Sequence, residues 1–172
     1  MTVETEFLRF SAEKLTQSMD RIETCVAGLT GDQVWSRPSD NQNSIANLLL
    51  HLHGNVRQWI ASRVAGVPYA RHRDLEFAAR SGDSAAQLTA NLRAAVSDAV
   101  DTILSLPAPR LLERVQIQGY EVTMLTAIYH VVEHFVGHTF QIILSTKRFT
   151  GNALGFYDQL NRGGSASGSS IP

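Results

Sequence analysis

A single cysteine, Cys25, excludes an intrachain disulfide and is the usage expected of a reducing compartment. Charge of one sign is also missing: 15 basic residues face 16 acidic ones, for a net charge of -1. Neutralising a nucleic-acid backbone takes a basic face. The chain has no basic run, so nucleic-acid binding is disfavoured. No stretch reaches the ~18 continuous apolar residues that a membrane helix needs. Glu4 and Glu6 occupy the start, where a secretory signal would carry basic residues and then an apolar run. A cytoplasmic protein that uses neither a membrane nor a nucleic acid is the default expectation.

What is present is a normal globular share of hydrophobic residues, 44%, in 172 residues, enough for one domain with a sizeable core. Phe7, Phe10, Leu15, Met19, Ile22, Val26 and Leu29 recur at helical spacing, predicting a first helix from Thr2 to about Leu29, with Gly31 as a stop. A polar loop over Val34–Asn43 leads to Ser44, a good N-cap. A second helix follows from Ile45 to about Ala65, ended by Gly66 and Pro68. Tyr69–Asp83 is polar and arginine-rich and reads as a connection with at most a short helical turn. Ser84 caps a third helix to about Leu106, stopped by Pro107 and Pro109. Alternation around Gly119 in Val115–Val122 predicts a short hairpin, and a fourth helix runs from Thr123 to about Lys147. Leu154, Phe156, Tyr157 and Leu160 are placed to pack back onto the helices. From Gly163 the composition turns to Gly, Ser and Ala, a flexible tail over 163–172 after a domain spanning 1–162. Four amphipathic helices make an all-α four-helix bundle, a fold that places metal sites between facing helices.

The fourth helix carries His130, His134 and His138 at four-residue intervals. Four helical residues advance by about 400°, so neighbouring members lie about 40° apart and one turn on. Two such imidazoles can chelate one ion. His134 and His138 fall at the edge of the apolar stripe formed by Ile128, Val132, Phe135 and Ile142, and His130 points further outward. A third ligand can come from the second helix, which offers His51 and His53 on opposite flanks. Wheel geometry does not choose between them, and Leu50 widens the apolar arc towards His53. Three neutral imidazoles with a free position make the catalytic type of zinc site, whereas structural sites are closed by four protein ligands. Histidine donors suit zinc, nickel, copper and iron alike.

Asn43-Ser44-Ile45-Ala46-Asn47-Leu48-Leu49-Leu50-His51-Leu52, with Trp59 eight residues past His51, resembles the second helix of the DinB-like (YfiT-type) metalloprotein superfamily. His134-Phe135-Val136-Gly137-His138-Thr139-Phe140-Gln141 is similar to its last helix, and the upstream loop with Trp35 also fits. The resemblance spans roughly Phe7 to Arg148. It implies a four-helix bundle holding a divalent metal, zinc or nickel, through His51, His134 and His138, and it prefers His51 over His53. It also implies a homodimer. The superfamily includes transferases and an isomerase that use low-molecular-weight thiols such as bacillithiol, mycothiol or glutathione, beside many uncharacterised members. Phe140 departs from the usual pattern, which has glycine before Gln141. A phenylalanine there would narrow the metal pocket or alter a helix contact.

A cation at such a site stabilises an anion in the free position. A substrate thiolate held there is the better nucleophile at neutral pH, and would attack a small electrophile such as an epoxide, alkyl halide or activated alkene. With water in that place the same centre would serve as a metal-dependent hydrolase. The alternative from another class is a non-catalytic metal- or ligand-binding bundle. Glu133 adjoins His134 but points about 100° away, which argues against a role as general base. Gln141, one turn past His138, is placed to bind a ligand or to orient one through a hydrogen bond. Asn47 and Asn55 share the His51 side of the second helix. Arg71 and Arg73 are candidate anchors for an anionic substrate or thiol cofactor.

Overall fold

In a computed structural model, residues 2–158 are described, so what the sequence leads one to expect of Leu160 and of the 163–172 tail lies outside the described residues. Six helices are numbered in chain order: α1 Val3–Val26, α2 Gly31–Trp35, α3 Ile45–Val56, α4 Arg73–Ala78, α5 Ala85–Ser105 and α6 Met124–Thr150. Polar caps set several of their starts. Thr2, Ser44, Ser84 and Thr123 each accept a hydrogen bond from the backbone N–H three residues on, satisfying a donor that the first helical turn leaves free. Gly151, at φ 69°, ends α6 in the left-handed conformation that suits glycine.

The four long helices form a ring. α1 packs against α5 and α6, and α3 packs against the same two from the other side. Helices α3 and α6, remote in sequence, thus become neighbours. The core between the four is aliphatic, with Leu15, Met19, Ile22, Leu49, Leu52, Leu92, Ile103, Phe135 and Ile142 all buried. The expected hairpin is present: β1 Arg114–Ile117 pairs antiparallel with β2 Tyr120–Thr123. Gln118 and Gly119 both have positive φ, 52° and 84°, as the tight turn between twisted strands requires. Leu154 and Phe156 pack against the core as expected, and Arg21 lies over the Phe156 and Tyr157 rings.

Three details depart from the sequence expectation. Gly31 starts a helix rather than stopping one. Thr30 and Gln33 form a capping box that turns Gly31–Trp35 into α2, the first part of what reads as loop. The second bundle helix changes character after Val56, where Arg57–Ser62 winds as a π-helical turn; apolar spacing does not distinguish this from continued α-helix. Pro107 and Pro109 end α5 but are followed by a 3₁₀ turn over Ala108–Leu112.

Candidate metal centre

The side of α3 that bears polar residues is not a solvent face. Asn47, His51 and Asn55 are 0%, 4% and 3% exposed. They are buried because α6 covers one edge of this side and α4 covers the other. The wheel therefore misleads about His51 and His53: an apolar arc marks the inward direction only when the remaining arc meets water. His51 is the inward residue, and His53 is half-buried outside the cluster.

His51, His134 and His138 each offer a ring nitrogen, and these nitrogens lie within 4.8 Å of one another. His51 Nε2 and His134 Nε2 are 2.9 Å apart. At metal–nitrogen bonds of about 2.0–2.1 Å, that separation subtends roughly a right angle at one ion. Ring centroids of His134 and His138 are 4.4 Å apart, edge to face, and His51 stands edge-on to both. The four-residue spacing on α6 puts His134 and His138 on one face, one turn apart, where both rings meet that of His51.

The other nitrogens of two of these rings are held from behind. His51 Nδ1 lies 2.9 Å from Glu76 Oε2, and His138 Nδ1 lies 2.9 Å from Gln141 Oε1. A ring that donates Nδ1–H to an oxygen keeps its Nε2 lone pair free for an ion, the arrangement seen behind metal-bound histidines. Gln141 thus takes the orienting one of its two expected roles. The donor set fits a divalent ion: three imidazoles, two fixed by oxygen acceptors, with no cysteine.

Electrostatics keeps the His134 and His138 rings neutral. Burial, reinforced by His138, His51, His130 and Arg71, pushes the His134 pKa down to about 3. Burial lowers His138 as well, against its hydrogen bond to Gln141 Oε1, which works to raise it. Burial also lowers His53. Neutral imidazole is the form that coordinates a cation.

Glu76 is the site residue that sequence reasoning missed. It sits on α4, a six-residue helix with no buried residue of its own. Arg71 brackets its carboxylate, Nε to Oε1 at 2.7 Å and Nη2 to Oε2 at 2.7 Å. Burial works to raise the Glu76 pKa, but the Arg71 and His51 hydrogen bonds outweigh it and hold the carboxyl below its ordinary range. Arg71 itself is 3% exposed. It also donates to Gln58 Oε1, which accepts from Gln118 at the hairpin tip. Arg71 is therefore an internal ion-pair partner and not a free anchor for an anionic substrate. Arg73 is exposed and lies over the Phe77 ring, and Phe77 in turn packs on His51 with centroids 4.6 Å apart.

Asn47 ties this segment to α3, donating to the carbonyls of Glu76 and Ala79. Arg37 donates both to Asn47 Oδ1 and to the Phe77 carbonyl. Asn55 is buried one turn past His51 with its Oδ1 unpartnered. His130 stays outside the metal-ligating group; it packs on Trp59 and lies 3.6 Å from the exposed Glu133. Phe140 does not narrow the site. It lies about 200° round α6 from His138 and is 51% exposed.

The profile of a family described as "Protein of unknown function (DUF1572)" matches residues 2–157. No curated protein matches the chain. Among solved structures, a conserved protein from Enterococcus faecalis superposes with a TM-score of 0.72 at 17% identity, covering 88% of this chain and 99% of that one. A DinB-like protein from Bacillus cereus superposes with a TM-score of 0.65 at 11% identity, covering 84% of this chain and 93% of that one. The fold is thus DinB-like, as the sequence resemblance implies, with a short hairpin before the last helix.

Proposed function

The chain belongs to the family described as a protein of unknown function, DUF1572, and on that premise we propose that it is a divalent-metal protein centred on His51, His134 and His138. One observation carries the reading. Ligating nitrogens from two different helices lie within 4.8 Å of one another, while Glu76 and Gln141 hold the far nitrogens of His51 and His138. Zinc or nickel suits this donor set. Three protein ligands leave a position free, the pattern of catalytic rather than structural sites.

We further propose that the activity is transfer of a low-molecular-weight thiol to a small electrophile. A divalent ion would supply positive charge that favours the thiolate form at neutral pH. The chain's own residues do the rest: His51 and His138 are oriented by Glu76 and Gln141, and Phe77 covers the His51 ring and limits water on that side. The second reading is a non-catalytic metal-binding bundle. It is favoured by the same cover, since His51 is 4% exposed beneath α4.

Elemental analysis of the purified protein tests the metal. We expect about one divalent ion per chain in the wild type and its loss in the His134→Ala, His138→Ala double variant. Wild type that stays metal-free after reconstitution with zinc or nickel would sink the assignment. Given metal, a thiol-consumption screen against epoxides, alkyl halides and activated alkenes separates the two readings. Turnover that disappears in the double variant supports the transferase, and its absence with every thiol favours the binding bundle.

A further inference from the structure

The segment from Arg71 to Ala79 is a strap with no fully buried apolar residue; half-buried Phe77 rests on the His51 ring. None of the α4 residues is buried, and the residues that tie the segment down are polar. Apolar burial alone would not hold six residues in place here, because ordering a backbone costs about 1–2 kcal/mol per residue. The hydrogen bonds therefore decide where the strap lies. Asn47 and Arg37 hold its backbone carbonyls, and Glu76 reaches past them to His51 Nδ1.

Gly54 makes that reach possible. It lies one turn past His51 on the same side of α3, and a Cβ there would collide with Glu76 Oε1 and stand 2.9 Å from Arg71 Nε. His51 Nδ1 has two polar neighbours, Glu76 Oε2 at 2.9 Å and Arg71 Nη2 at 3.0 Å. An ionised carboxylate only accepts and a guanidinium only donates, so the two neighbours favour opposite tautomers of the ring. Arg71 Nη2 has a closer acceptor in Glu76 Oε2, at 2.7 Å. That leaves Nδ1–H to donate to Glu76, and places the lone pair on Nε2, facing His134.

We infer that Glu76 is the positioning residue of this centre and that the Arg71–Ala79 strap is coupled to the metal through it. The inference rests on the metal reading above. A cation on Nε2 makes Nδ1–H a stronger donor, which tightens its bond to Glu76 and docks the strap. Reciprocally, a docked strap fixes the tautomer that binds metal. Arg71 offsets the carboxylate charge when the ion is absent.

The test uses the full chain and zinc alone as probe. Competition titration should show zinc bound about 10–100-fold more weakly by Glu76→Gln than by wild type. Glu76→Asp keeps the charge beside Arg71 but falls short of His51, and should also bind more weakly than wild type. Nitrogen-15 NMR of the imidazoles reads the tautomer directly, and should report Nδ1–H on His51 in wild type and a mixture in Glu76→Gln. Added zinc should slow amide exchange across residues 73–79 in wild type and leave it unchanged in Glu76→Gln. Equal zinc affinity in wild type and both folded variants would overturn the role of Glu76 while leaving the three-histidine site intact. Exchange in 73–79 that ignores zinc would overturn the coupling. No zinc binding by wild type would overturn the metal reading itself, and with it this inference.

Discussion

Two of the arginine–carboxylate networks in this molecule sit in contrasting surroundings. On the outer side of the bundle, Arg93 of α5 reaches Glu23 and Asp20 of α1, with contacts of 2.5 to 2.8 Å. Beside the histidines, Arg71 brackets Glu76 at 2.7 Å. The distances are alike, but the surroundings differ. Arg93 is 33% exposed, whereas Arg71 is 3% exposed and its partner 11%. In water, attraction between such groups is offset by lost hydration, lost side-chain freedom and salt screening. In the interior each charge relies on the other, so breaking one partner leaves a buried charge exposed to nothing. The comparison teaches that similar geometry staples a surface in one place and positions a ring in the other.

The largest effect should come from removing one side of the inner pair. Arg71→Ala is expected to cost roughly 3–5 kcal/mol, since Glu76 then either stays buried without its cation or leaves with the strap and uncovers His51. Urea denaturation measures this. A loss near that of Arg93→Ala would erase the distinction between the networks.

Acid titration should come next. The His134 pKa lies at about 3 and that of His138 below its ordinary value, so the unfolded chain gains protons below pH 6.5 that the folded chain refuses. Stability of the metal-free protein is therefore full above pH 6.5 and falls as pH drops from there towards 3. Glu76 and Glu23 have lowered values and add their own loss only below 4.5. Denaturation midpoints between pH 6.5 and 4.5 thus report the histidines, and His134→Gln should flatten the slope there. An unchanged slope would mean that burial does not keep these rings neutral.

Gly54→Ala is a gentler way to press on the inner pair. The added methyl group meets Glu76 and Arg71, and overpacking of this kind costs about 1–3 kcal/mol. Thermal unfolding measures it. Wild-type stability in this variant would show that the strap yields without cost. The smallest effect belongs to the outer pair: Arg93→Ala should lose no more than about 1 kcal/mol, and less in 1 M salt. A loss that ignored salt would place Arg93 with the buried network.

Much of this architecture is legible before any coordinates. Ser44, Ser84 and Thr123 announce helix starts, because a side-chain oxygen at that position satisfies a backbone donor locally. The His134/His138 pair is equally local, a matter of helical pitch. The π-helical turn at Arg57–Ser62 leaves no mark in the spacing, since one different winding changes no residue type. Glu76 and Arg71 stand among other charges in a polar stretch, and nothing nearby distinguishes them from solvated side chains. The choice of His51 over His53 could be read only through family resemblance.

Four long helices, the Ser44 and Ser84 caps, the hairpin and a histidine pair four residues apart on α6 are all legible in the sequence, because each is closed within a few residues. Tertiary structure alone decided which polar groups leave water. Only when α3 lies beside α6 and α4 folds across it does His51 become buried, Arg71 turn from a free cation into a partner of Glu76, and a carboxylate 25 residues away in sequence come within 2.9 Å of a histidine. Burial is a property of neighbours on all sides, and for this site those neighbours come from distant parts of the chain.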